Sequence, residues 1–248
     1  HEILKKTVLI FINNMKNITN ENVDIILPYF NSGNTVDETL NSIVSQSYKN
    51  FKIIIINNNS SKKHVQLLNN ALKKHKSINL EIKNFSNKVS LGANFNRGLR
   101  LVKSDYFCIM HADDLYEKDY LKKMIDLLKN EKEIAVFCDV SIINENSKIV
   151  FSMKNKIKNF FLRNKDQFSG FAGAKDLKKF NFITAPSMFF NSKVIKNVGF
   201  FSENLNYTLD WDYWFRIIFY GYKIKYLKQN LFKYRIHSNQ QSYNLSKN

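Results

Sequence analysis

Asp105-Tyr106-Phe107-Cys108-Ile109-Met110-His111-Ala112-Asp113-Asp114 passes from an apolar run straight into two adjacent carboxylates. A short apolar run bounded by polar residues reads as a buried strand. Its end then sets Asp113 and Asp114 at the edge of a sheet. Paired carboxylates there can hold a hard divalent cation, Mg2+ or Mn2+, and through it a diphosphate. Such pairs also occur in solvated turns and at helix N-caps, so the surrounding chain has to decide.

Working outward, Val23–Phe30 (VDIILPYF) reads as a buried strand closed by Pro28, which cannot continue a central ladder. Val36, Leu40, Ile43 and Val44 give Asn34–Ser47 a helical spacing. Phe51–Ile56 is a second buried strand, ending in Asn57-Asn58-Asn59-Ser60-Ser61. Val65, Leu68 and Leu72 mark a second helix, Leu80–Ile82 a third strand and Ala93–Val102 a third helix, before the strand Asp105–Met110. Strands and helices alternating in this way predict an α/β chain with a doubly wound, mostly parallel sheet and right-handed crossovers. Ligands of such sheets bind at the carboxyl ends of the strands. Pro28–Asn31, Asn57–Ser61 and His111–Asp114 should therefore converge on one edge.

Beyond a helix at Leu121–Leu128 and a strand at Ile134–Val140 the alternation decays. Lys154–Phe182 reads as basic, aromatic and irregular, with Gly170 and Gly173 as hinges. Pro186–Phe190 reads as a strand, Val198–Phe200 as a turn, and Asp210 as the start of a helix carrying Trp211, Trp214, Phe215 and Ile218. The tryptophans, at helical spacing, are expected to be core anchors. Lys223–Leu227 and Leu231–Ile236 read as two short strands, and Gln240–Asn248 as a frayed tail. Residues 1–20 are read as an N-terminal extension, with Met15 a candidate natural start.

The chain has 248 residues, 44% of them hydrophobic, with 7 Gly and 2 Pro, which suits a globular domain and excludes a low-complexity one. Its formal net charge of +17 suits a polyanionic partner. The lysines are scattered and no nucleic-acid module is present, so an anionic membrane surface is expected in preference to nucleic acid. Abundant Lys and Asn also fit an AT-rich genome. Cys108 and Cys138 each lie in an apolar run and read as core residues of a reduced, cytoplasmic protein. No stretch has the length of a membrane-spanning helix.

With these residues in place, residues 23–242 resemble family 2 glycosyltransferases of the GT-A fold. The resemblance is carried by VDIILPYFN at Val23–Asn31, LNSIVSQSYKNF at Leu40–Phe51, SLGANFNRGL at Ser90–Leu99, HADD at His111–Asp114 and LDWDYWFR at Leu209–Arg216. It implies one GT-A domain over 21–240, with a nucleotide-sugar half to about residue 115, a C-terminal acceptor-side half beyond it and a tail at 241–248. It also implies an inverting, metal-dependent transfer of sugar from a nucleotide-sugar donor to a saccharide or lipid-linked acceptor in surface polysaccharide or glycoconjugate synthesis. UDP-sugar is the first candidate donor and dTDP-sugar the second. Peripheral contact with the inner membrane face is part of the same expectation.

Residue by residue, the resemblance makes Asp210 the general base and Asp113, with His237, the metal site for Mn2+ or Mg2+. It places Pro28, Phe30, Asn57, Asn58 and Ser60 around the donor from the first two strands. Lys88, Asn96, Arg97, His111 and Ala112 complete that set. Three positions depart from the family pattern: Asn57 and Asn58 replace carboxylates, His111 replaces the first Asp of the metal motif, and Leu209 replaces a Glu. An amide can still pair with a pyrimidine edge. Other readings stay open for single residues: Asp210 as a helix N-cap, Arg97 and Lys88 on a solvated face, His237 as a structural histidine. A binding protein that has lost catalysis would share the fold. A nucleotidyltransferase would need a Gly-rich phosphate loop that Tyr29–Asn34 does not supply.

Overall fold

The computed structural model describes residues 22–75, 78–128, 133–205 and 207–237. The N-terminal extension with Met15, and the tail from Gln240, lie outside them. Strands β1 (Val23–Tyr29), β2 (Phe51–Asn58), β3 (Leu80–Phe85) and β4 (Tyr106–Ile109) are joined by helices α1 (Val36–Val44), α2 (Lys62–Lys73) and α3 (Leu91–Leu99). They pair in parallel in the order β3-β2-β1-β4. β1 is apolar on both faces because helices cover both: Val23, Ile25 and Leu27 enter one core, Ile26 the other. α3 lies so close to β1 that a Cβ on Gly98 would fall 2.3 Å from Ile26 Cγ2.

Past β4 the sheet changes character. β5 (Leu115–Tyr116), α4 (Tyr120–Leu127), β6 (Glu133–Ile143), α5 (Met153–Leu162), β7 (Gln167–Phe168) and α6 (Gly170–Lys179) follow. Then come β8 (Met188–Asn191), α7 (Lys193–Asn197), α8 (Leu209–Phe219) and β9 (Lys223–Arg235). β8 inserts antiparallel between β4 and β6, with Phe107 and Phe190 stacked at 4.9 Å across the junction. β9 runs parallel to β6 and carries β5 and β7 antiparallel.

Three expectations are corrected. Pro28 lies within β1 rather than ending it. Ile26 O accepts from Met110 N at 2.9 Å, so the even-numbered backbone groups of β1 face β4, and by Pro28 that strand has turned away. No ladder bond is lost there. Lys154–Phe182 is not irregular: it holds α5, β7 and α6. The buried positions of α5 are Lys158 and Leu162, so no apolar pattern points inward to mark it. Gly173 serves packing and not hinging, since a Cβ there would sit 3.0 Å from the Phe168 backbone. Finally, the two C-terminal strands are one. The ladder with β6 slips at Cys138/Asp139 and Asp139/Val140, and this slip is the interruption legible at 228–230. Both cysteines are free and buried, as expected, and burial pushes the Cys138 thiol up to about 12.

Candidate active site

The expected convergence occurs. A cleft of about 1100 Å³ opens at the carboxyl edge of β1, β2 and β4, and Pro28, Phe30, Asn58, Lys88, His111, Ala112, Asp113 and His237 all line it. The loop after β4 is held from three sides. Thr35 Oγ1 donates to Ala112 O and Thr39 Oγ1 to Asp114 O, both at 2.9 Å, from α1. His111 N donates to Tyr116 Oη at 3.2 Å. From β9, Arg235 Nε donates to Asp113 O at 2.7 Å and Arg235 N to Asp114 Oδ1 at 2.9 Å.

His111, Asp113 and Asp114 each offer a ligand atom, and these atoms lie within 4.8 Å of one another. His237 Nε2 joins the cluster through Asp113 Oδ2 at 3.0 Å. Burial works to raise the Asp113 carboxyl, but the His237 hydrogen bond and the charges of His111 and His237 outweigh it and hold it below the usual range. Burial pushes the His111 imidazole down, against the pull of Asp113. Asp114 is fully buried, and desolvation with the Asp113 charge drives its pKa well above the ordinary value. Among the described residues its Oδ2 accepts no hydrogen bond, with His111 Nδ1 3.8 Å away. A buried carboxylate oxygen without a hydrogen-bond donor, beside a second carboxylate and an imidazole, belongs to a ligand set that suits a divalent cation. The residues fit Mn2+ or Mg2+.

Four expected donor contacts do not reach the cleft. Asn57 donates to Asn84 Oδ1 (2.9 Å) and accepts from Ser60 N (3.1 Å), because alternation along β2 turns it from the face that Asn58 presents. Ser60 Oγ accepts from Asn31 N and thereby ties the β2 loop to the β1 loop. Asn96 is buried and clamps both backbone groups of Phe201. Arg97 stacks on Phe85 and donates to Asn58 Oδ1 and Asn87, beneath the loop that carries Lys88. Asn58 itself grips Val89 at both N and O. Lys88 Nζ sits 4.1 Å over the Phe30 ring at the rim.

Asp210 is not among the residues lining the cleft. It lies in the first turn of α8, whose N-cap is Thr208, so the N-cap reading does not describe it. Asn181 Nδ2 donates to Asp210 Oδ2 at 2.9 Å, and burial raises its pKa. Trp211 and Trp214 pack in the core, as expected, with Trp211 Nε1 donating to Leu177 O. The residue that sequence reasoning missed is Arg235. It is 1% exposed and also donates to Glu38 Oε2 (2.7 Å), Ser147 Oγ (2.9 Å) and the carbonyls of Asn144 and Glu145. A lone arginine inside the apolar Leu231–Ile236 run was the available signal. Glu145 and Tyr234, also lining the cleft, had none.

Among the described residues a nine-stranded sheet whose first four strands are parallel, with a carboxylate cluster at their carboxyl edge, has the GT-A fold. Residues 24–199 match the model of Glycosyl transferase family 2, and the chain belongs to that family. An uncharacterised glycosyltransferase of Rickettsia typhi is 28% identical over 220 residues, covering 88% of this chain and 65% of the relative. TarS of Staphylococcus aureus, solved with UDP-GlcNAc, superposes with a TM-score of 0.68 at 14% identity, over 88% of this chain and 60% of its own. The mannosyltransferase PcManGT of Pyrobaculum calidifontis, solved with GDP-Man and Mn2+, gives 0.67 at 15% identity, over 91% and 59%. This chain thus spans roughly three fifths to two thirds of each, by the coverage just given.

Proposed function

We propose that this glycosyltransferase moves a sugar, with inversion, from a nucleotide-sugar to a hydroxyl of a saccharide or lipid-linked acceptor in surface glycoconjugate synthesis. UDP-sugar is the first candidate donor and dTDP-sugar the second; GDP-sugar enters the test because of PcManGT. The observation that carries the reading is the His111, Asp113 and Asp114 cluster, with Asp113 lining the cleft and the buried Asp114 Oδ2 accepting no hydrogen bond among the described residues. Asp113, Asp114 and His111 would hold the cation, with His237 against Asp113. Bound there, the cation would act as a Lewis acid toward the leaving diphosphate.

The chain's own residues do the rest. Lys88, at the rim over Phe30, offers a cation to the diphosphate. Asn58, with Arg97 behind it, holds the 87–89 loop that presents Lys88. Asp210, which lies outside the cleft lining, is the base by resemblance, and would take the proton of an acceptor hydroxyl as it attacks the anomeric carbon. Its raised pKa favours that transfer over an ordinary carboxylate, and Asn181 orients it. Inversion follows from a single displacement.

The test is release of nucleoside diphosphate, or CMP, from UDP-, dTDP-, GDP- and CMP-sugars with Mn2+ and candidate acceptors. One donor should turn over, with Asp113→Asn and Asp210→Asn each slowing kcat by about 100-fold or more. The acid limb of the wild-type profile should lie above the ordinary Asp value of 3.8, since the base is lost as pH falls through its raised pKa. That limb should vanish in Asp210→Asn. Full activity in Asp210→Asn would remove it as the base, and binding of no nucleotide-sugar would overturn the donor reading.

A further inference from the structure

Helix α5 faces the wrong way for a core helix. Its inner positions are Asn155, whose Nδ2 donates to Val140 O at 2.7 Å, Lys158, whose Nζ donates to Thr184 Oγ1 at 3.0 Å, and Leu162. Its apolar stripe is turned to solvent. Met153, Ile157, Phe160 and Phe161, at the i, i+4, i+7, i+8 spacing of one helical face, are 59%, 49%, 72% and 45% exposed. Phe151, 68% exposed, is joined to the same face by Lys156 Nζ, 4.8 Å over its ring, and Ile149 is 71% exposed just before it. Contiguous apolar side chains in water mark an interaction surface.

Charge decides the partner. From Asn146 to Lys165 the sequence holds six basic residues and no acidic one; Lys158 is buried and Lys165 pairs with Asp176, so Lys148, Lys154, Lys156 and Arg163 carry the exposed charge. A second copy of this chain, at a net charge of +17, would meet it with repulsion. The described ends at Asn22 and His237 leave 1–21 and 238–248, which carry a net basic balance too. An apolar stripe flanked by lysines, with no acid between, matches an interfacial helix that sinks its apolar face among acyl chains and sets its lysines at anionic headgroups.

We infer that α5 and the Ile149–Phe151 segment before it dock this protein on an anionic bilayer, with Ile157 and Phe160 inserted and Lys154 and Lys156 at the headgroups. The surface connects directly to the cleft. Asn144 N donates to Lys148 O and Val150 N to Ile142 O, so residues 142–150 form a tight hairpin. Glu145 in its turn lines the cleft, and Ser147 accepts from Arg235. Docking would therefore bring the cleft to the headgroup layer, where a lipid-linked acceptor presents its hydroxyl. This last consequence rests on the proposed acceptor; the docking itself does not.

Flotation with phosphatidylcholine vesicles, with and without phosphatidylglycerol, tests it. Wild type should float with the anionic vesicles only, and less so as salt rises. Ile157→Ser/Phe160→Ser should weaken binding by about tenfold or more, and Lys154→Glu/Lys156→Glu by a similar factor or more. Lys62→Glu/Lys63→Glu on α2 makes the same charge change elsewhere and should keep most of the binding. All these positions are exposed, so thermal unfolding and donor turnover in solution should match wild type. Absence of wild-type binding, or equal loss in the α2 control, overturns the inference. So does a dimer that Ile157→Ser/Phe160→Ser splits, which would make this face a self-interface. Turnover without vesicle binding would sink the docking and leave the transferase reading standing; binding without turnover would do the reverse.

Discussion

Arg235 shows what one buried charge can hold together. Its guanidinium reaches Asp113 O, two carbonyls of the 144–147 turn, Ser147 and Glu38, and its backbone N reaches Asp114. Arg235→Met would remove the donor to Asp113 O, while Glu38, 53% exposed, would keep Ser147 Oγ and the backbone bond to Asp114 would stay. We expect a loss of about 1–3 kcal/mol in denaturant unfolding, with a further loss of metal affinity because Asp113 O loses its Arg235 donor. Arg235→Lys should restore little, since a point charge cannot serve the divergent acceptors of a planar fork. Unchanged metal affinity in a folded Arg235→Met protein would show that the guanidinium is not needed to position the loop. Neither this role nor that of Asn58 was legible. The sequence shows a polar residue, and its partners lie as far off as Glu38, 197 positions away.

At the scale of elements, α5 carries its own test. Lys158 is 8% exposed, and burial lowers its pKa from 10.5 to about 8. The unfolded chain binds the proton more tightly, so the charged amine destabilises the fold below about pH 8. That cost is relieved as pH rises from about 8 to 10.5. Lys158→Met should therefore raise stability at pH 7 by about 1–2 kcal/mol, discounting for the lost Thr184 bond. The gain should shrink through pH 8–10.5, as followed by thermal melts. A pH-independent difference would mean the amine is not desolvated. The parallel strands and α1–α3 were legible because each follows its own local periodicity. α5 has such a periodicity too, at Met153, Ile157, Phe160 and Phe161, but that this side faces outward was not legible, because it depends on what packs against Lys158 and Leu162.

Taken whole, the cleft draws its walls from the ends of β1, β2, β4 and β9 and from the start of α3. A ligand that bridges them should stabilise the entire fold. With Mn2+ and the accepted nucleoside diphosphate at about 100 times Kd, linkage adds about 2.7 kcal/mol. For a chain of this length that is a rise in Tm of roughly 5–10 °C. Chelator, or Asp113→Asn, should abolish it. A shift that survives both would place the nucleotide elsewhere.

Local chain chemistry was enough for the βαβ alternation, the edge on which ligands gather and the carboxylate pair at the end of β4. Each depends on residues a few positions apart, and periodicity, turn chemistry and strand termination act over that range. Tertiary structure alone decided that Asn58 faces the cleft and Asn57 does not, and that Asn96 and Arg97 brace loops rather than line the cleft. It also decided that Arg235 ties down the loop after β4 and that α5 turns its apolar side to solvent. Those outcomes depend on which distant groups remain to satisfy a buried donor or acceptor. That competition is settled only when the whole chain has packed.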